Sequence, residues 1–255
     1  MGLIEKVSCV GADEMNLRDP ITWLHIYSVI RSDLGFSEGR DCAAATLLDT
    51  VLSTQQEGNI EELLESLRSI LQGASVLVVG AGPSCIKCRE IYKSYDVVIC
   101  ADGATRCCIH SGVKPDIVVT DLDGVAGFEE LLRDTIVVAH AHGDNMRLLT
   151  MSLPLILKVS KGVIGTSQCL VSNRVRIFGG FTDGDRAAYL ASYFDARRIG
   201  LVGFDFGGIV GQYSKPRMIH EMYASPLKLR KLKWARILLA YLRSWRGEGF
   251  IRWEY

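Results

Sequence analysis

The first 72 residues carry apolar positions at the spacing of amphipathic helices, which predicts an N-terminal helical region over residues 1–72. Asp19 followed by Pro20 is typical of a helix N-terminus, and Gly35 ends the first pattern. The apolar positions between them recur every three or four residues: Ile21, Trp23, Leu24, Tyr27, Ile30 and Leu34. The same criteria predict a second helix over residues 41–53 and a third from the capping residue Asn59 to Gly73.

From Ser75 onward, short β-branched runs alternate with amphipathic stretches. The runs cover residues 75–80, 96–101, 116–120, 135–139, 174–179 and 198–203. This alternation predicts an α/β fold over residues 73–211, with a mostly parallel sheet flanked by helices. The central runs are apolar throughout, as expected for strands covered on both faces. Residues 155–168 are predicted to add another strand or a loop.

The last segment, residues 212–255, contains a basic amphipathic stretch. Seven Lys or Arg and no acidic residue occur from Lys228 to Arg246, with apolar residues at helical spacing. We predict a C-terminal helix whose apolar stripe packs on the core. A second interpretation, in which Lys231 or Lys233 reaches a phosphate group, stays open.

Composition narrows the function classes. The 29 basic and 29 acidic side chains cancel, so no broad nucleic-acid surface is expected. No 18-residue apolar run and no signal-peptide pattern is present, so we expect a cytoplasmic protein without a membrane span. Most of the eight cysteines lie in apolar runs, for example Cys107 and Cys169, and are expected to be small buried thiols in a reducing compartment. Cys85 and Cys88 have the spacing of a zinc half-site, but without a second pair a plain helix pair is favoured.

Polar residues collect where the predicted strands end. Five such loops follow the runs: residues 80–84, 102–103, 121–124, 140–145 and 179–185. In an open parallel sheet, ligands bind outside the carboxyl ends of the strands, so several of these loops are expected to meet at one edge.

Asp121 and Asp123 allow three interpretations: a phosphoryl nucleophile, a metal pair, or a turn before Gly124. In an extended segment, side chains at i and i+2 point the same way about 6.6 Å apart, so two carboxylates repel unless a cation intervenes. With Asp144 in the next loop, we predict that Asp121, Asp123 and Asp144 hold Mg²⁺ on a phosphate substrate. The turn alone explains one aspartate easily and both poorly.

Two other loops suggest polar contacts. His140 and His142 share a side of their strand, and we favour a hydrogen-bonding or proton-handling role over zinc binding. The loop with Gly80, Gly82 and Ser84 is predicted to open a helix and to offer backbone N–H groups to an anion. It lacks the third glycine of a dinucleotide fingerprint.

Read together, the motifs "ADGAT", "GVKPDIVVTDLDG", "HAHGDN", "GTSQ" and "GGFTDGDRA" resemble the archaeal 6-hydroxymethyl-7,8-dihydropterin diphosphokinases, distant relatives of thiamin pyrophosphokinase. The resemblance covers about residues 76–210. It implies a catalytic domain like that of thiamin pyrophosphokinase. It also implies Mg²⁺-dependent transfer of diphosphate from ATP to the hydroxymethyl group of the pterin, with release of AMP.

The resemblance also implies residue roles. The expected catalytic acids are Asp121, Asp123, Asp144 and Asp102. The chemistry of the transfer, apart from the resemblance, adds that Asp144 or Asp102 could accept or orient the hydroxyl proton. The expected nucleotide-binding residues are Gly80, Gly82, Ser84, Asp102, His142 and Asn145. The expected substrate-binding residues are Thr166, Gln168, Asp183 and Asp185, where either of the last two matches the acid of the related thiamin motif.

Two other functions and two further points stay open at this stage. The stretch "VVTDLDGV" resembles the first motif of haloacid-dehalogenase phosphatases, which would make Asp121 a nucleophile, although that motif normally ends the first strand of the fold. A non-catalytic module that binds Mg-nucleotide is the third possibility. The residues do not exclude thiamin as the acceptor, and the apolar N-terminal helices could pack on a second copy in a homo-oligomer.

Overall fold

The computed structural model describes residues 16–56, 58–172 and 174–254. Residues 1–15 of the predicted N-terminal helical region lie outside the described part. Three helices follow in this region: α1 (Pro20–Leu34), α2 (Glu38–Gln55) and α3 (Ile60–Leu71).

The predicted helix ends are confirmed for α1 and for the start of α3. The Asp19 carboxylate accepts hydrogen bonds from two backbone N–H groups of the first turn of α1, and Gly35 ends the helix with φ 74°. Asn59 caps α3. The second helix begins three residues before the predicted Asp41, because the side chain of Ser37 provides an earlier cap.

An eight-stranded, wholly parallel sheet forms the centre of the molecule. Its strands are β1 (Ser75–Val79), β2 (Val97–Ala101), β3 (Ile117–Thr120), β4 (Ile136–Ala141), β5 (Gly162–Ser167), β6 (Val175–Arg176), β7 (Arg198–Val202) and β10 (Ile251–Trp253). Their order across the sheet is β10-β7-β1-β2-β3-β4-β5-β6. A separate antiparallel pair consists of β8 (Ile209–Val210) and β9 (Met222–Tyr223). The predicted α/β class with a parallel sheet is confirmed.

The remaining helices connect the strands. They are α4 (Cys88–Ile91), α5 (Ala104–His110), α6 (Met146–Met151), α7 (Leu153–Val159), α8 (Asp183–Tyr193) and α9 (Pro226–Arg246). Short 3₁₀ turns cover Pro83–Lys87, Tyr92–Ser94 and Glu129–Leu132. Among the described residues, no helix is long and apolar enough to cross a membrane.

Helices cover both faces of the sheet, which explains why the strands are apolar throughout. In β1, Val76 and Val78 belong to the cluster under α1, α3, α8 and α9, whereas Leu77 and Val79 belong to the cluster under α2 and α5. Helix α9 buries Trp234, Leu238, Leu239 and Leu242 against the first of these faces, as its amphipathic pattern predicted.

Three details differ from the expectations. The run at 174–179 forms only a two-residue strand. The segment at 155–168 contains the expected strand, β5, but begins with the end of α7. A further strand, β10, pairs with β7 after the C-terminal helix. This strand escaped prediction because three residues are too few to show a period.

The expectation of free, buried thiols is wrong for two of the cysteines for which it was made, Cys107 and Cys169. Cys107 forms a disulfide with Cys85, and Cys169 forms one with Cys42. Each bond joins segments far apart in the sequence, so spacing alone did not indicate the pairs. The thiol of Cys88 is free and buried, as are those of Cys100 and Cys108.

Candidate active site

A cavity of roughly 650 Å³ lies at the carboxyl ends of the parallel strands. The loops after most of the central strands line it, together with the first turns of α2, α8 and α9. Its acidic lining residues are Asp41, Asp102, Asp121, Asp123, Asp144, Asp183 and Asp205. Its basic ones are Arg40, Arg186, Lys215, Lys228 and Lys231, along with His140 and His142. The edge of the sheet predicted to bind a ligand therefore carries a cavity with charges of both signs.

Three aspartates from different loops meet in this cavity. Asp102, Asp121 and Asp183 each bring one carboxylate oxygen within 4.8 Å of the other two, and we call them the carboxylate triad. Asp102 has a left-handed backbone with φ 47°. Its Oδ1 accepts hydrogen bonds from Thr120 Oγ1 at 2.7 Å and from Gly124 N at 3.0 Å. A side chain at position 124 would overlap this carboxylate, so the glycine of "DLDG" makes room for Asp102.

The triad concentrates negative charge. Burial raises the pKa of Asp102 and of Asp183, and the nearby charge of Asp121 raises both further. Burial also acts to raise the pKa of Asp121, but the hydrogen bond from His142 and the charge of Lys215 outweigh it and hold that pKa below its ordinary value. Three carboxylates this close repel one another unless a cation or a proton intervenes. Carboxylate oxygens are the ligands that Mg²⁺ prefers, so this donor set fits the ion.

The segment after β3 turns sharply, so the expectation of an extended Asp121–Asp123 pair is wrong. Leu122 has φ 76°, and the Asp121 carboxylate accepts a hydrogen bond from the backbone N–H of Asp123 at 3.2 Å, as in an Asx turn. The two side chains diverge. Asp121 Oδ2 lies 3.4 Å from His142 Nε2, whereas Asp123 forms an ion pair with Lys215. A metal-binding role for Asp123 stays a prediction.

Asn145, predicted to bind nucleotide, ties two loops together. Its side-chain amide donates to the backbone carbonyls of Asp121 at 2.8 Å and His140 at 2.7 Å, and its Oδ1 accepts from the N–H of His142 at 3.0 Å. It is buried. These contacts hold the loops that carry Asp121 and His142 in register, which is a positioning role.

Asp144 lies at the mouth of the cavity, away from the triad. Its side chain is 65 % exposed and forms an ion pair with Arg40 at 3.1 Å. Arg40 also donates to the carbonyl of Gly143 at 2.8 Å, which links α2 to this loop. The metal-binding and catalytic roles predicted for Asp144 stay predictions.

The loop with Gly80, Gly82 and Ser84 packs against the loop after β7. Gly80 and Gly82 line the cavity, and a Cβ at Gly80 would lie 2.6 Å from the carbonyl oxygen of Gly203. The N–H of Ser84 donates to the Asp205 carboxylate at 3.1 Å, and the Ser84 hydroxyl accepts from Gly203 N at 3.2 Å. The loop opens a five-residue 3₁₀ turn rather than an α-helix. The Ser84 N–H group, which was predicted to bind an anion, therefore donates to a carboxylate of the protein itself.

The structure separates Asp183 from Asp185, which the sequence left as alternatives. Asp183 belongs to the triad, and Asp185 is fully buried in a capping box with Thr182. The Asp185 carboxylate accepts from the N–H of Phe181 at 2.6 Å, from the N–H of Thr182 at 2.8 Å and from the Thr182 hydroxyl. Asp183 therefore faces the ligand space, while Asp185 stabilises the start of α8.

Thr166 and Gln168 lie at and just beyond the end of β5. Thr166 is buried and its hydroxyl lies 3.1 Å from His140 Nδ1, so it contacts the cavity only through His140. Gln168 lines the cavity directly and is buried.

Comparisons with known proteins identify the family of this sequence. A sequence model of the family described as 6-hydroxymethylpterin diphosphokinase MptE-like matches residues 50–210. The chain belongs to this family. Among its relatives is a Pyrococcus furiosus protein named 6-hydroxymethyl-7,8-dihydropterin pyrophosphokinase, 43 % identical over 87 % of this chain and 93 % of its own length. A protein of the same name from Methanothermobacter thermautotrophicus is 37 % identical over 91 % of this chain and 98 % of its own length. Another, from Methanocaldococcus jannaschii, is 34 % identical over 87 % of this chain and 95 % of its own length.

The chain is accordingly an enzyme of the diphosphokinase class. All three members of the triad lie inside the range that the family model matches.

The cavity of this diphosphokinase also contains lysine side chains that sequence reasoning missed. Lys215 and Lys228 line the cavity with Lys231, whereas Lys233, the other lysine considered for a phosphate, does not. Burial lowers the pKa of Lys228, and the charge of Lys215 lowers it further. Burial also acts to lower the pKa of Lys215, but the negative charges of Asp123 and Asp121 outweigh it and leave that pKa raised. No motif marks Lys215, because its position depends on how the segment after β8 folds back over the strand ends.

Arg106 holds that segment in place. Its guanidinium donates to the carbonyls of Tyr213 and Lys215, each at 2.7 Å, and to that of Pro216 at 3.5 Å. It also lies 5.1 Å from the ring centroid of Phe128. Arg106 is therefore a positioning residue for Lys215.

Proposed function

We propose that the enzyme transfers diphosphate from ATP to the hydroxymethyl group of 6-hydroxymethyl-7,8-dihydropterin, with Mg²⁺, and releases AMP. The observation that carries this proposal is the carboxylate triad, whose three oxygens lie within 4.8 Å of one another in a cavity that also contains three lysines. The printed names of the relatives support the acceptor.

Asp102, Asp121 and Asp183 would hold the metal ion. When bound, Mg²⁺ neutralises charge on the polyphosphate and orients it for in-line attack, which is worth several kcal/mol in the transition state. The lysines at 215, 228 and 231 supply the positive charge that the non-transferred oxygens require.

Of the two acids expected to take the hydroxyl proton, Asp102 is the better placed. It lies in the triad and two hydrogen bonds fix its orientation, whereas Asp144 is exposed and paired with Arg40. We propose that Asp102 orients the acceptor hydroxyl and that Asp144 with Arg40 closes one side of the cavity.

The alternatives make different products. A phosphatase with Asp121 as nucleophile would release phosphate from a monoester, and a binding module would turn over nothing. Membership of a diphosphokinase family favours transfer over both.

A nucleotide-product assay tests the proposal. The enzyme is incubated with Mg-ATP and either 6-hydroxymethyl-7,8-dihydropterin or thiamin, and AMP, ADP and phosphate are separated by chromatography. We expect AMP to appear in step with the pterin diphosphate, and to disappear with EDTA and in Asp121→Asn. Asp134→Asn, on the surface and in a left-handed conformation that Asn tolerates, serves as the matched control. Formation of ADP or phosphate instead, or turnover within about tenfold of wild type in Asp121→Asn, would refute the proposal.

A further inference from the structure

Besides Oδ1 of Asp123, whose other carboxylate oxygen pairs with Lys215, two buried polar atoms of cavity-lining residues have no hydrogen-bond partner within the described part of the chain. They are His140 Nε2 and Gln168 Oε1. Their residues are only 1 % and 4 % exposed, and both line the cavity. A buried polar group without a partner is destabilising, so such groups in a cavity wall indicate a ligand that supplies the missing bonds.

The contacts of His140 define which kind of group it offers. The Thr166 hydroxyl donates its proton to the carbonyl of Ala139 at 3.3 Å, so it accepts a hydrogen bond from His140 Nδ1 at 3.1 Å. Burial, with the nearby charge of Arg186, lowers the pKa of His140 well below its ordinary value, so the ring is neutral. With the proton on Nδ1, Nε2 keeps a lone pair that none of the described residues engages, and His140 is part of the cavity wall.

Gln168 follows the strand that lies next to His140. His140 pairs with Thr166 in the sheet register, and Gln168 comes two residues after Thr166, in the bend just beyond the end of β5. Arg31 donates to the backbone carbonyl of Gln168 at 3.4 Å. The next residue, Cys169, is joined to α2 by a disulfide. The backbone at Gln168 is thus fixed before any ligand arrives, which suits a recognition residue.

Resting on the proposed function, we infer that His140 and Gln168 recognise the pteridine ring of the acceptor through an edge that carries two neighbouring N–H donors. The 2-amino group and N3–H of a dihydropterin form such an edge. Adenine has its one amino group beside ring nitrogens that only accept, so it cannot satisfy two acceptors in this way. The ring of Phe36, which also lines the cavity, provides an apolar surface for a planar ligand.

Direct binding measurements test this inference separately from turnover. Wild type, Gln168→Met and Gln168→Glu are titrated by calorimetry with 6-hydroxymethyl-7,8-dihydropterin and, in separate runs, with Mg²⁺ and a non-hydrolysable ATP analogue. Met keeps the length of Gln but offers no strong acceptor, whereas Glu offers acceptors only. Gln55→Met, at an exposed position, is the matched control, and thermal melts confirm that each variant folds.

We expect Gln168→Met to weaken pterin binding roughly ten-fold and Gln168→Glu to retain it within about three-fold, while the ATP analogue binds all proteins alike. The inference is overturned if wild type does not bind the pterin, if Gln168→Met binds it as well as wild type, if Gln168→Glu loses binding as Gln168→Met does, or if the loss falls on the ATP analogue. Absence of AMP formation by a wild type that binds the pterin would instead count against the proposed function.

Discussion

Asp183 and Asp185 lie two positions apart at the start of α8, and the structure predicts opposite consequences for replacing them with Asn. Asp185 is buried and its carboxylate accepts three hydrogen bonds from Phe181 and Thr182. Asp183 faces the cavity as a member of the triad. The two substitutions change the same atoms, so each serves as the matched control for the other.

The cost of Asp185→Asn follows from the contacts. An Asn side chain has one acceptor oxygen, so its NH₂ group must face at least one of the backbone donors that the carboxylate now satisfies. A hydrogen bond to a charged group contributes about 1.5–3 kcal/mol, and a buried donor without a partner costs about 1–3 kcal/mol. Part of this loss is offset because a buried charge is removed. We expect the free energy of unfolding to fall by about 3 kcal/mol.

The outcome of Asp183→Asn is the reverse. Removing one negative charge relieves repulsion within the triad, so the stability of the metal-free protein should stay equal or rise. Loss of one metal ligand should lower kcat/KM at least about 100-fold, which corresponds to about 2.7 kcal/mol.

Urea denaturation without metal and the AMP assay with Mg-ATP together check the pair. The reasoning would be refuted if Asp185→Asn changed the unfolding free energy by less than about 0.5 kcal/mol, a typical surface effect. It would also be refuted if Asp183→Asn kept kcat/KM within about tenfold of wild type.

Three further predictions concern other parts of the chain. Gly124→Ala should displace the Asp102 carboxylate of the triad and lower AMP formation at least about ten-fold. The control Gly39→Ala, at an open helical position, should leave activity unchanged and stabilise the protein by up to about 1 kcal/mol in urea titrations. Arg106→Lys should raise the KM for ATP through misplacement of Lys215 while thermal melts show a folded protein; an unchanged KM would contradict the positioning role. Burial acts to raise the pKa of Asp195, but hydrogen bonds from two arginines outweigh it and leave that pKa lowered. Its stabilisation is therefore present above the unfolded pKa and lost as pH falls through the folded one, so Asp195→Asn should destabilise by roughly 0.5–1 kcal/mol at pH 7 and by progressively less in urea titrations at acidic pH.

Periodicity was enough to predict the architecture. Runs such as residues 75–80 and 116–120 are apolar because both faces of a parallel sheet are buried, and the capping residues Asp19 and Asn59 act within one turn. The short strand β10 carries no such signal, because its place depends on the partner strand β7.

The site was predictable as a set of loops but not as a set of contacts. The sequence shows that aspartates follow β2 and β3, because the apolar runs indicate where each strand ends. The sequence did not show which carboxylates converge, because Leu122 has a left-handed backbone, Asp123 pairs with Lys215, and the fold brings Asp183 in from a distant loop. Lys215 was missed for the same reason, as its contact with Asp123 spans 92 residues.

The position of the bound metal ion distinguishes the carboxylate triad from other sets of ligands. Crystals grown with Mn²⁺ and a non-hydrolysable ATP analogue, with data collected at the manganese absorption edge, would show the ion as an anomalous peak. We expect a peak about 2.1 Å from carboxylate oxygens of Asp102, Asp121 and Asp183, next to the phosphates. A peak held by Asp123 and Asp144 without the triad, or nucleotide bound with no peak, would contradict this expectation.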